Sequence, residues 1–333
     1  MRAQVLTAWG GPENFKLTDI PKPQIRPGMV LVRVAAASIN QIDTKIRAGL
    51  PIGPELPSVL GADLAGFVEE VGAGVMDFSP GDAVYGCAGG VKGQGGALAE
   101  YILADARLLA PKPTKLSMRE TAALPLVSIT AWEALERAEL SASDHILVHG
   151  GVGGVGHIAV QLAKSIGARV ATTIGSPEAA ALAASLGADE TIHYRDEAVE
   201  AYVERLTAGH GFDVVFDTIG GNNLQPSFAA AAESGRVATT NARTTQDLGP
   251  LHAKALSFHV IFMLLPMLRG PGRDRHGRIL RSVARLVDAG KLRPLLDDSY
   301  FTLETVPDAH RRIESGKAQG KVVIDIAGDD PNA

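Results

Sequence analysis

Cysteine is almost missing from this chain: Cys87 is the only one in 333 residues. An intrachain disulfide is therefore excluded, and a cysteine-built metal knuckle has no ligands. Long apolar runs are missing too. The longest, "VIFMLLPML" at 260–268, is about half the length of a membrane span and carries Pro266. Neither sign of charge dominates. A net charge of −5 gives no general attraction to nucleic acid, which needs a clustered basic face. The short basic tract "RGPGRDRHGR" at 269–278 reads as a solvated loop. The opening "MRAQVLTAWGGPENF" holds no apolar stretch of the secretory kind. The expected setting is cytoplasmic, with no membrane and no nucleic-acid partner.

What is present suits about two domains. The first 120 residues look β-rich, with "MVLVRVAAASI", "AGFVEEVGAGV" and "GDAVYGCAGG" as strands and prolines throughout. From Arg119 the texture changes. "RETAALPLVSITAWEALERAEL" has helical period, and apolar strands then alternate with alanine-rich helices. Strands are expected at 145–149, 168–174, 190–193, 212–217, 235–240 and 257–263. That alternation implies an α/β fold with a doubly wound parallel sheet. After the loop "RGPGRDRHG", a helix is expected over "RILRSVARLVDAG", then a strand "SYFTL", a helix around 306–315 and a last strand "KVVIDI".

Gly151, Gly153 and Gly156 form G-x-G-x-x-G between the strand "HILVH" and the helix "IAVQLAKSIG". In that context the pattern is a dinucleotide turn. Glycine allows the tight turn, lets the backbone approach pyrophosphate and lets helix pack on strand. The pyrophosphate then meets the positive end of the helix. An NAD site usually has an Asp or Glu about 20 residues further on, gripping the ribose hydroxyls. Here the second strand ends Thr173, Ile174, Gly175, Ser176, with no acid before Glu178. A carboxylate there would repel the 2′-phosphate of NADP by about 4 kcal/mol at 4 Å and an effective dielectric of 20. Gly175 and Ser176 are thus permissive for NADPH.

Taken with "ASINQIDTKIRAG", "LGADLAGFVEEVG", "GDAVYG", "GGALAEY", "ALPLVSITAWEAL", "VHGGVGGVG", "FDVVFDTIGG" and "GKVVIDI", the chain resembles the medium-chain dehydrogenase/reductase superfamily. It is most similar to the zinc-free quinone oxidoreductase branch that includes zeta-crystallin. The resemblance implies a GroES-like substrate domain from 1–122 and 268–333, and a Rossmann dinucleotide-binding domain at 123–267. Cofactor and substrate would meet in the cleft between them.

Zinc-dependent members of that superfamily place a Cys where this chain has Asn40, and a His-Glu pair at Ala62 and Asp63. Asn and Ala are not usual zinc ligands, and "GCAGGVKGQGG" lacks the cysteines of a structural zinc lobe. No metal is expected. The chemistry left is hydride transfer from NADPH to an electron-poor acceptor, a quinone or an α,β-unsaturated carbonyl, in which the protein aligns the reactants.

By resemblance, Asn40 and Asp43 line the nicotinamide side and Thr130 lies near the carboxamide. The competing reading makes Asn40 and Asp43 turn and cap residues. Lys45 stands where several relatives have a Tyr; it is either a donor to a substrate oxygen or a solvated surface lysine. The cofactor would lie on the backbone of Gly151, Val152, Gly153, Gly154 and Val155. The resemblance puts Gly175, Ser176 and Tyr194 at the 2′-phosphate, and Asn241 on the cofactor cleft. The lysine that relatives carry in the next helix is Ala179 here, which leaves Arg195 to compensate. Phe262, Met263 and Leu264 read as an apolar acceptor wall, as core, or as part of a dimer edge. An apolar edge strand needs covering, and the family's answer is a homodimer. Two other readings stay open: a zinc-independent alcohol or aldehyde oxidoreductase, and a non-catalytic NADPH-binding protein.

Overall fold

Branched and small apolar residues, interrupted by glycine and proline, give the N-terminal segment its short strands. They are β1 (Arg2–Leu6), β2 (Phe15–Asp19), β3 (Met29–Ile39), β4 (Ser58–Val59), β5 (Asp63–Val71), β6 (Ala83–Cys87), β7 (Tyr101–Asp105) and β8 (Leu109–Pro111). One short helix, α1 (Gln41–Arg47), follows β3 directly. Strand β3 is buried beyond its first residue and pairs antiparallel with both β5 and β7. The ends of β3 and β5 therefore lie side by side, with Ser38 opposite Asp63.

Next come α2 (Met118–Ala122) and α3 (Pro125–Arg137), not the continuous helix that the periodicity predicts. Pro125 opens the second one, since proline fits a first turn but cannot bond back to a preceding one. The Leu126 amide in that turn donates to Asp63 Oδ1 at 2.9 Å.

Strands and helices then alternate as expected: β9 (His145–His149), α4 (Gly156–Ile166), β10 (Arg169–Ile174), α5 (Pro177–Ser185), β11 (Glu190–His193), α6 (Val199–Thr207), β12 (Phe212–Asp217), α7 (Leu224–Ala230), β13 (Ala231–Thr239), α8 (Gly249–Ala253) and β14 (Ser257–Val260). All six strands are parallel, in the order β11-β10-β9-β12-β13-β14. Numbered within the sheet this is 3-2-1-4-5-6, the Rossmann order, whose switch point lies at the first strand. Leu147, Ile192, Phe212, Val215, Phe228 and Val237 are among the residues that build the core here.

The chain closes with α9 (Leu265–Arg269), α10 (Arg273–Asp288), β15 (Phe301–Thr302), α11 (Val306–Glu314) and β16 (Val322–Asp325). Boundaries here also differ from the sequence expectation, as does the start of β13, at Ala231 and not 235. "VIFMLLPML" splits, because Leu264 caps α9 and Pro266 sits in its first turn. Helix α10 begins inside the expected loop "RGPGRDRHG", after Gly272 at φ +89°, and buries His276 and Gly277. Of "SYFTL" only Phe301–Thr302 pairs, alongside β16.

The structure describes residues 1–328. Two compact units divide the chain at 129/130, within α3, and again at 263/264. Among the described residues no helix is long and apolar enough to cross a membrane.

Candidate active site

In the parallel-sheet unit, β9 runs into a turn at Gly150, whose φ of +73° favours glycine. A Cβ on Gly151 would collide with the Thr172 side chain, and one on Gly156 with the Gly150 carbonyl. Those two glycines serve strand–helix packing. Thr173 Oγ1 accepts the Gly150 amide at 2.9 Å, and the Gly153 amide closes the turn on the Gly150 carbonyl at 2.9 Å. Among the described residues, the amides of Gly154 and Val155 have no acceptor. They stand at the N-terminus of α4, where orphan donors and the helix dipole favour an anion. Val152, Gly153, Gly154 and Val155 are partly open to solvent, while Gly151 is buried.

A second feature lies at the ends of β10 and β11. Gly175 is exposed, and Ser176 caps α5. The Ser176 hydroxyl bonds the exposed Glu178 carboxylate and holds it below its usual range. Tyr194 is 53% exposed. The Arg195 guanidinium lies 5.2 Å from the Tyr194 ring centre and donates to the Gly175 carbonyl at 3.0 Å. Ala179 is buried against Ile174 and Ala183, so α5 offers no cation at that position. An open groove of about 780 Å³ runs past Gly175, His193, Arg195 and Arg205. Arg205 is held by Glu197 at 2.7 Å. Asn241 packs on the glycine turn after β12, with Nδ2 donating to the Ile219 carbonyl at 3.4 Å. Thr130 is buried in α3.

The other unit holds a buried charge cluster. Asn40 follows β3 and caps α1, its backbone amide donating to Asp43 Oδ2 at 2.7 Å. Its side-chain Nδ2 donates to Asp63 Oδ2 at 2.9 Å, and Ser38 Oγ donates to the same oxygen at 3.0 Å. The ammonium of Lys321, just before β16, donates to Asn40 Oδ1 and to Asp63 Oδ2, the latter at 3.3 Å. Lys321 is 2% exposed, Asp43 1% and Asp63 0%. Burial pushes Asp43 up to about 7, the Asn40 amide opposing the rise and the Asp63 charge adding to it. Burial likewise raises the Cys87 thiol. Lys45 is exposed on α1.

The structure thus gathers Asn40 and Asp43 in one place, and Gly175 and Tyr194 in another. Sequence reasoning missed Lys321. Its trace there is a lysine opening the apolar strand "KVVIDI". Met263 and Leu264, candidates for an acceptor wall, are buried core, while Phe262 is 44% exposed.

Comparison with known proteins matches this architecture. Residues 26–114 fit the alcohol dehydrogenase GroES-like domain family, and residues 186–324 the family described as zinc-binding dehydrogenase. Among the described residues, no group of three or more His, Cys, Asp or Glu side chains could hold a metal ion. The NADPH-dependent alkenal/one oxidoreductase of Arabidopsis thaliana chloroplasts is 34% identical over 97% of this chain and 79% of its own. Human quinone oxidoreductase is 30% identical over 97% of both chains. The crystal structure of an alcohol dehydrogenase superfamily protein from Novosphingobium aromaticivorans superposes with a TM-score of 0.93. It is 40% identical and covers 98% of this chain and 99% of its own.

Proposed function

The chain belongs to the medium-chain dehydrogenase/reductase superfamily, among its quinone and alkenal oxidoreductases, and on that footing we propose that it is an NADPH-dependent reductase of quinones or α,β-unsaturated carbonyls that works without a metal. The observation that carries the reading is Lys321. The cation held by Asn40 and Asp63 is an ammonium, a donor of hydrogen bonds with no open coordination position. Such a site suits acceptors that are already electron-poor, and does not suit activation of an alcohol.

The donor set fits a dinucleotide. The free amides of Gly154 and Val155 would take its pyrophosphate, with Gly151, Val152 and Gly153 shaping the turn. Gly175 gives room for a 2′-phosphate. Tyr194 holds Arg195 beside it, and Ser176 can turn its hydroxyl from Glu178 to the phosphate. Thr130 and Asn241 would line the rest of the cofactor site. When bound, the reduced cofactor supplies the hydride. The protein's part is to hold and orient the reactants and to exclude water. Lys45 keeps a smaller role in this reading, as an exposed cation near the acceptor, and a cytoplasmic setting belongs to it too.

The test is oxidation of NADPH and NADH, in parallel, against a benzoquinone and an aliphatic enone. NADPH should be used about tenfold better than NADH, with either acceptor. Tight NADPH binding without turnover on any acceptor would contradict the reading and favour a non-catalytic NADPH-binding protein.

A further inference from the structure

Resting on the reductase reading, we infer that the buried cluster of Asn40, Asp43, Asp63 and Lys321 stores one proton, and that Asp43 Oδ1 gives it to the reduced acceptor. Two carboxylates and one ammonium leave this enclosed cluster one positive charge short. Net charge out of water is costly, and a proton on one carboxylate restores neutrality. Asp63 accepts at both oxygens, from Ser38 Oγ, Asn40 Nδ2, Lys321 Nζ and the Leu126 amide. Asp43 accepts at Oδ2 from the Asn40 backbone amide, and the Asn40 side chain is a further neighbour that favours its charge. Asp43 Oδ1 is buried and has no partner among the described residues, which makes it the place for the proton.

The surroundings agree. Burial first, then the Asp63 charge, raise Asp43 to about 7, against the pull of the Asn40 amide and Lys321. From β6, Cys87 faces both carboxylates with its thiol raised, hence neutral. From α11, His310 and Glu314 face Arg47 on the far turn of α1, and Lys45 on α1 is exposed.

The step balances. Hydride adds at the β-carbon of an enone, forming a C–H bond, breaking the C=C π bond and leaving an enolate. The Oδ1–H bond of Asp43 then breaks, its proton joins the enolate to give the saturated carbonyl, and its electron pair stays on the carboxylate. Water returns the proton.

The experiment combines the pH profile of kcat/KM for enone reduction with carbon NMR of protein labelled at the aspartate carboxyls. A protonated donor predicts a rate that falls as pH rises through about 7, and one carboxyl carbon titrating with it. Asp43→Asn should remove that resonance and lower kcat/KM by about a hundredfold at pH 6. Asp63→Asn removes a neighbouring negative charge and should move the falling limb to lower pH. Lys321→Met removes the positive charge and should move it to higher pH, while Lys321→Arg should leave it in place. Opposite shifts in the Asn and Met variants support the store, and if Lys321→Met does not fold, Asp43→Asn and Asp63→Asn still decide.

Shifts in the same direction, or no aspartate titrating between about pH 6 and pH 8, overturn it. Titration at Asp43 with unchanged turnover in Asp43→Asn overturns the donor role and leaves the reductase reading standing. No turnover by the unaltered protein overturns both.

Discussion

The guanidinium of Arg195 lies against Tyr194 and donates to the Gly175 carbonyl, so its place is fixed although the side chain is exposed. It is the cation nearest the spot where an NAD site would carry an acid, and the buried Ala179 cannot share the task. Arg195→Ala should weaken NADPH binding about tenfold and leave NADH nearly unchanged. That is a charge-assisted contact of about 1.4 kcal/mol, discounted for exposure. Parallel titrations of the two cofactors check it, and equal losses would remove Arg195 from cofactor selection. At this scale the glycine turn was legible because its spacing is local, and so was the capping pair Asn40 and Asp43, three residues apart. Lys321 was not, since nothing in "GKVVIDI" says that its ammonium will meet a residue 281 positions earlier.

At the scale of elements, periodicity found the six parallel strands and misplaced several ends. It has no view of how a proline is used: Pro125 and Pro266 each open a helix where the apolar pattern runs on unbroken. Nor does it see packing. Helix α10 starts five residues earlier than expected and crosses the chain at Arg107–Leu109, and Gly277 is the point of closest approach. A Cβ there would stand 2.7 Å from the Arg107 carbonyl oxygen and 2.9 Å from that of Leu109. Gly277→Val should therefore destabilise by about 1–3 kcal/mol, the usual cost of overpacking. A urea-unfolding midpoint equal to that of the unaltered protein would show that the helix can shift to make room.

At the scale of the whole molecule, the sequence resemblance carried the fold class and the function class together. Assembly belongs to the same scale. Strand β14 is the edge of the six-stranded sheet, with Val260 42% and Phe262 44% exposed beside its open backbone. An edge of that kind needs a cover, and we propose a second copy of the chain. Light scattering after gel filtration should give twice the monomer mass at micromolar concentration, and a monomer would contradict the proposal. The central claim is hydride transfer from NADPH to an electron-poor acceptor with an ammonium, not a metal, among Asn40, Asp43 and Asp63. The most direct test is NADPH oxidation by a benzoquinone and an enone after exhaustive chelation, with metal content measured on the same sample. The account predicts turnover undiminished in protein free of metal. Activity that disappears on chelation and returns with zinc would contradict it.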